Sequence, residues 1–326
     1  MKTAKSIDVA RLAIAGQPGG ITVSTLAEAE YFAGYGVSDI LYAVGITPQK
    51  LDQVAKLNSA GAAVLVLTDD LDVAGAIAAH SAPPRALIEI DTGEGRGGLS
   101  PDDDRLLAIA DKLGPRLAGV LTHAGHSYAG RSIDDMARTA EAERTGVVSA
   151  AERLRAAGHT VAIVSMGSSP TALHARHLDG VTEVRAGVYM FGDLFQAEIG
   201  THPLDSIAVT VLSSVIGRRP GKLLVDAGGL ALSKDRSTAD VPTDYGFGLA
   251  LDIAGRPSLG EAVVRRAYQE HGVLDTDPGH PVELPIGAKL RIAPNHTCMT
   301  AAAHDRYFVV EGGDEVVAIW HRVNGW

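Results

Sequence analysis

The sequence holds one cysteine, Cys298, which excludes an intramolecular disulfide framework. Cations are outnumbered, 29 Lys and Arg against 39 Asp and Glu, for a formal net charge of −10. That balance argues against an extended nucleic-acid or anionic-membrane surface and leaves room only for local cationic pockets. No run approaches the roughly 18 apolar residues that a membrane-spanning helix needs. The opening segment MKTAKSIDVARLAIAG is charged and amphipathic, with neither the apolar core nor the cleavage pattern of a signal peptide. Internal repeats and low-complexity linkers are missing too. What is present, 326 residues of which 46% are hydrophobic and 21% charged, excludes disorder as the main state. The expectation is a cytoplasmic enzyme of two domains.

Up to about residue 200, short apolar runs alternate with amphipathic stretches. The runs Ile21–Ser24, Asp39–Val44, Ala62–Leu67, Arg85–Asp91, Leu117–His123, Thr160–Ser165 and Val181–Arg185 are bounded by Gly, Pro or Asp. They read as strands buried on both faces of a parallel sheet. Between them, Thr25–Gly34, Pro48–Ala60, Asp70–His80, Asp102–Leu113 and Ile133–Ala157 carry apolar residues at helical spacing, several behind Ser, Thr, Asp or Pro cap signals. The alternation predicts an α/β fold with right-handed crossovers. Seven strands are one short of a (β/α)8 barrel. Ser6–Ala15 reads as a helix with no strand before it, so strand one is expected upstream of Met1. After residue 200 the runs Ile207–Ile216, Lys222–Val225, Lys289–Ile292, Tyr307–Glu311 and Val316–His321 lack long helices between them. They predict an antiparallel β domain over residues 201–326, with a polar stretch from Thr238 to Pro281 inside it.

Barrel enzymes place their chemistry at the C-terminal ends of strands, and there the sequence turns polar and glycine-rich. One such end carries Arg96 in the run Asp91–Gly98. Another carries His123, His126 and Tyr128. The loop MGSSPT, with Ser168, Ser169 and Thr171, offers hydroxyls and backbone N–H groups to an anion, the plainer alternative being an ordinary helix cap. The next strand end, Arg185-Ala186-Gly187-Val188, adds a glycine that permits close approach. Near the C-terminus, Cys298 stands two residues from His296. In an extended segment both side chains would point one way, and imidazole with thiolate suits zinc in an open site.

Together these segments resemble the D-serine dehydratase / D-threonine aldolase family, pyridoxal-phosphate enzymes with an alanine-racemase-like (β/α)8 barrel and a C-terminal β domain. The marks are Lys2-Thr3-Ala4-Lys5, IEIDTGEGRGG, THAGHSY, MGSSPT, EVRAGVYMFGD, LLVDAGGLALSKD, Glu270-His271-Gly272 and PNHTC, in shared order across the chain. By that resemblance Lys2 is the Schiff-base lysine, which in the family follows a strand ending in His-x-Lys-Thr, and Arg96 is the arginine near the cofactor's phenolic oxygen. Tyr128, Ser168, Ser169, Thr171, Gly187 and Val188 match positions around the ring and phosphate. His296 and Cys298 match the zinc pair of the dehydratases. The His-x part of the lysine motif is missing, and the phosphate loop reads Ser-Ser-Pro-Thr where a Thr often precedes the Pro.

The resemblance implies pyridoxal-phosphate- and zinc-dependent β-elimination of D-serine or a similar D-β-hydroxy amino acid, giving a 2-oxo acid and ammonia. A head-to-tail homodimer is implied as well, with a small D-amino acid as its substrate and no nucleic acid or membrane as partner. Retro-aldol cleavage to glycine and an aldehyde is the near alternative. A non-catalytic cofactor carrier, or a barrel left inactive by the unpaired edges of a missing strand, is the alternative of another class.

Overall fold

The structure, a computed structural model, describes residues 1–260, 262–276 and 282–325. It divides into two compact units, Met1–Gly187 and Val188–Asn324.

The first unit is built on seven parallel strands paired in sequential order: β1 (Ile21–Val23), β2 (Asp39–Gly45), β3 (Ala63–Thr68), β4 (Ala86–Ile90), β5 (Leu117–Thr122), β6 (Ile163–Met166) and β7 (Glu183–Val184). All seven expected strands are present. Helices α1 (Ile7–Ala13), α2 (Leu26–Gly34), α3 (Leu51–Ser59), α4 (Leu71–Ala79), α5 (Arg105–Leu113), α6 (Ile133–Ala156) and α7 (Ser169–His174) complete it. The cap signals act as expected: Thr25, Asp70 and Ser132 each accept an N–H from the first turn of the helix that follows. Both sheet faces are buried, which is why the strands read as unbroken apolar runs. Ile40, Tyr42, Val64, Val66, Ile88 and Val120 pack with helical residues such as Phe32, Val54, Ile77 and Val147. Their alternates Leu41, Leu67, Leu87, Ala118 and Leu121 form a separate apolar layer. Because the strands are parallel neighbours, the segments after β4, β5, β6 and β7 emerge along one rim.

The second unit opens with α8 (Leu194–Glu198) and contains a closed antiparallel barrel. Its strands are β8 (Val211–Arg219), β9 (Lys222–Val225), β10 (Leu249–Leu251), β11 (Val263–Ala267), β12 (Gly272–Asp275) and β13 (Lys289–Ala293), in the order β10-β11-β12-β9-β8-β13. Val215, Val225, Ala250, Val264, Leu274, Leu290 and Ile292 fill it. Between strands lies α9 (Gly229–Leu232), and after β13 come α10 (Thr297–Ala302) and the hairpin of β14 (Arg306–Val310) and β15 (Val316–His321). The stretch from Thr238 to Pro281 is not merely polar: it holds three barrel strands, while Glu261 and residues 277–281 lie outside the described residues. These strands escape pattern reading because β10 has three residues, β12 has four, and a bulge between Val264 and Arg266 breaks the alternation of β11. Among the described residues no helix is long and apolar enough to cross a membrane.

Candidate functional site

In the first unit the rim begins with Lys2, exposed in the turn before α1. Thr3 beside it is buried, and its Oγ1 lies 3.6 Å from where a Cβ on Gly187 would stand, so the lysine turn reaches the end of β7. Lys5 points elsewhere, its ammonium 3.0 Å from Glu28 Oε1. Arg96 projects from the glycine-rich loop after β4, largely exposed, 3.9 Å from Glu89 Oε1. Burial raises the Glu89 pKa, and the Arg96 charge partly opposes the rise.

His123 follows β5. Its Nδ1 lies 2.9 Å from the carbonyl of Gly167, which can only accept, so Nδ1 carries the hydrogen and Nε2 the lone pair. Burial lowers its pKa to about 4, and the charges of Arg185, Arg96 and Lys2 push in the same direction. The ring is therefore neutral at pH 7, beside a group of three cations. His126 faces Glu94 instead, with Nδ1 3.6 Å from Oε2. Tyr128 sits half-buried in the turn Gly125–Ala129.

The loop after β6 is organised by its own hydroxyls. Ser168 caps α7 in a reciprocal box with Thr171, and its Oγ is 2.8 Å from Ser127 Oγ. Ser169 Oγ is buried and has no hydrogen-bond partner. An orphan buried hydroxyl costs about 1–3 kcal/mol, which a ligand oxygen would remove. Gly167 has φ +131°, and a Cβ there would stand 2.3 Å from the carbonyl oxygen of Arg185. That close approach lets the loops after β6 and β7 lie side by side. Val188, next after Gly187, is buried and opens the turn Val188–Met190. Hydroxyls, an unsatisfied buried Oγ and glycines without side chains are what a phosphate group needs, so these residues fit a pyridoxal-phosphate cradle.

Two residues here had no role in the sequence reading. Arg185 donates from Nε to Ser165 Oγ at 2.8 Å and from Nη2 to the Thr122 carbonyl. Glu143, on α6, accepts from the N–H groups of both Ala124 and Gly167 at 2.9 Å. It falls among Met136, Ala137, Ala140, Val147, Ala150, Ala151 and Leu154, the buried stripe of that helix. A lone carboxylate on an apolar stripe is a signal that periodicity alone could have exposed.

In the second unit, His296 is the N-cap of α10 and Cys298 lies in its first turn. The extended segment expected for this pair is thus a helix start, yet the two side chains still meet, since Cys298 hydrogen-bonds the imidazole. His296 Nδ1 lies 3.1 Å from Asp235 Oδ2. Burial alone would lower the His296 pKa, but the bonds to Asp235 and Cys298 prevail and raise it to about 10. Asp235 goes down to about 2: its burial raises the pKa, and hydrogen bonds from His296 and Ser237 outweigh that. Asn295 Oδ1 accepts from Thr238 N and its Nδ2 donates to the Gly246 carbonyl, while Thr297 N donates to Asp193 Oδ2 at 2.9 Å. Both flanks of His296 are thereby fixed.

Among the described residues no group of three or more His, Cys, Asp and Glu is arranged to hold a metal ion. The side chains that could serve as donors are a pair, His296 and Cys298, with the Asp235 carboxylate behind the imidazole. A soft thiolate and, once a metal displaces its proton, the imidazole Nε2 fit an open zinc-type site completed by water or substrate oxygen. Asp235 closes the motif LLVDAGGLALSKD, and nothing in that local pattern marks it as the partner of His296.

Residues 2–194 match the family model "Alanine racemase, N-terminal domain", and residues 208–310 match "Putative serine dehydratase domain". The D-threo-3-hydroxyaspartate dehydratase of Delftia sp. (strain HT23) is 45% identical over 100% of this chain and 89% of its own length. The D-serine dehydratase of Dictyostelium discoideum is 28% identical over 97% and 87%. A solved metal-free cysteine-to-alanine variant of D-threo-3-hydroxyaspartate dehydratase superposes with a TM-score of 0.96 at 44% identity, covering 100% of this chain and 89% of that one. A histidine-to-alanine variant, substituted two residues away from that cysteine, gives 0.95 at 44% identity, covering 100% and 87%.

Proposed function

Because the chain belongs to the D-serine dehydratase / D-threonine aldolase family of alanine-racemase-like pyridoxal-phosphate enzymes, we propose that it is a metal-dependent lyase that removes water from a D-β-hydroxy amino acid. A 3-hydroxyaspartate is the first substrate to consider and D-serine the second, each yielding a 2-oxo acid and ammonia. The observation that carries the reading is the presence in one chain of the Lys2 and Ser168–Thr171 elements and a His296–Cys298 pair backed by Asp235. Zinc as the metal, a homodimer and a cytoplasmic setting belong to the same reading.

Lys2 is the one nucleophilic amine of the rim turn that is exposed, because Lys5 is engaged by Glu28. Its amine would hold the cofactor and, once exchanged for the substrate's amine, would take the Cα proton. Ser168, Ser169, Thr171, Gly187 and Val188 would hold the phosphate. Arg96 and Tyr128 would orient the ring. His123, neutral and fixed by Gly167, contributes a lone pair at Nε2 without adding a fourth cation.

When bound, pyridoxal phosphate supplies an electron sink for the charge left at Cα, and zinc on His296 and Cys298 supplies Lewis acidity to an alcohol oxygen. Hydroxide is otherwise a poor leaving group, which gives the donor pair a task in elimination. The Cα–H and Cβ–O bonds break and water departs. The released enamine hydrolyses to the 2-oxo acid and ammonia.

Product analysis tests this. The purified protein, supplied with pyridoxal phosphate and zinc, should convert D-threo-3-hydroxyaspartate to oxaloacetate plus ammonia, or D-serine to pyruvate plus ammonia. Glycine with an aldehyde would move the assignment to the aldolases, and no conversion of any D-β-hydroxy amino acid would remove it.

A further inference from the structure

Glu143 is fully buried, and its Oε1 accepts two backbone N–H groups, from Ala124 after β5 and from Gly167 after β6. Its Oε2 is buried with no hydrogen-bond partner. A single carboxylate oxygen thus bridges the start of two separate rim loops. One of these runs on to Tyr128 and the other to Ser168, Ser169 and Thr171.

The peptide groups of Gly167 are held from both sides. Its N–H goes to Glu143 and its carbonyl accepts from His123 Nδ1. A side chain is barred at this residue by the Arg185 carbonyl. Nothing else in α6 explains a carboxylate there, since its neighbours on the stripe are apolar or small. Burial of a carboxylate is unfavourable by several kcal/mol unless it receives strong hydrogen bonds. Both hydrogen bonds it receives come from loop amides; the Arg185 guanidinium attracts its charge but spends its own hydrogen bonds on Ser165 and Thr122. The arrangement therefore acts on the loops more than it adds to the core.

We infer that Glu143 is a positioning residue for the phosphate cradle: by holding the Gly167 amide it sets the Ser168-Ser169 hydroxyls and the adjoining backbone for a phosphate dianion. The inference rests on the cofactor reading given under Proposed function. It assigns Glu143 no contact with the cofactor, and it requires the acceptor oxygen rather than the negative charge.

The test compares two ligands that differ only in the group at issue, pyridoxal phosphate and pyridoxal, titrated into the cofactor-free protein and followed by fluorescence quenching. The wild type should bind pyridoxal phosphate far more tightly than pyridoxal. Glu143→Met fills the space without an acceptor and should shrink that phosphate preference roughly 10- to 30-fold, the loss expected for one or two strong hydrogen bonds, while pyridoxal affinity stays within about twofold. Glu143→Gln keeps the acceptor and should retain the wild-type preference. Should Glu143→Met fail to fold, Glu143→Asp, too short to reach both amides, gives the same comparison. An unchanged phosphate preference in Glu143→Met or Glu143→Asp, or a lost preference in Glu143→Gln, overturns the inference. A wild type that binds neither ligand refutes the cofactor reading instead, so the two failures are distinguishable.

Discussion

The Lys5 ammonium lies 3.0 Å from Oε1 of Glu28, a carboxylate that is 1% exposed. The same carboxylate accepts the Ser24 N–H and the Thr25 hydroxyl. Lys5 is thereby tied to the first turn of α2, in a backbone conformation of φ +49° that few side chains adopt. Of the two lysines three residues apart, one is bound into the structure and the other is exposed.

The two lysines should therefore separate cleanly on substitution. Lys2→Ala is expected to abolish both turnover and the visible absorbance band of the lysine-bound cofactor. Lys5→Ala should keep the band but lower the melting temperature, because it leaves the buried Glu28 carboxylate without its cation. Retention of the band by Lys2→Ala would sink the assignment.

The donor pair makes a second set of expectations. Chelation, His296→Ala and Cys298→Ser should each remove more than about 99% of elimination activity, in line with the several kcal/mol that a metal contributes as Lewis acid. The cofactor absorbance should survive all three. Asp235→Asn should weaken metal affinity about 10- to 100-fold, the usual effect of losing the carboxylate behind a ligating histidine. Metal titration by calorimetry reads this directly, and equal affinity in Asp235→Asn would deny that carboxylate its role.

His123 predicts a pH dependence. Its folded-state pKa is about 4, against an ordinary value of 6.5. Between those values the unfolded chain binds a proton that the folded chain does not. Stability therefore falls as pH drops through that window and is unaffected by this residue above it. The contribution is on the order of 2 kcal/mol after discounting for partial exposure. Urea denaturation of wild type and His123→Asn across this range should show a shallower acid slope in the variant.

Gly167→Ala should be among the most damaging single methyl additions. The new Cβ would collide with the Arg185 carbonyl at 2.3 Å, and φ is +131°. A loss of about 2–4 kcal/mol is expected. Thermal unfolding would show it as a fall of about 5–15 °C.

The strands of the first unit were legible because each is short, apolar and punctuated, and burial on both faces leaves no alternation to misread. The place of Ser168, Ser169, Thr171 and Gly187 along the rim is legible the same way, since polar and glycine residues cluster where apolar strands end. Strands β10, β11 and β12 are not: three to five residues and a bulge are too little for a period to register. His296 and Cys298 stand out by residue type, and the structure brings them together at a helix start rather than along a strand. Asp235 and Arg185 were missed for another reason. Their importance lies in partners far along the chain, His296 for the one and Thr122 for the other, and no local pattern encodes such a pairing.

Strand order has a consequence for synthesis. In the first unit every strand pairs with the one made just before it, so the sheet can lengthen edge by edge as the chain leaves the ribosome. The second unit has no such route. Its barrel closes where Val211 of β8 meets Ile292 of β13, and that seam waits until nearly the whole polypeptide has emerged. The parallel unit can thus be framed first, while the half bearing His296 and Cys298 is the late and aggregation-exposed step of biogenesis.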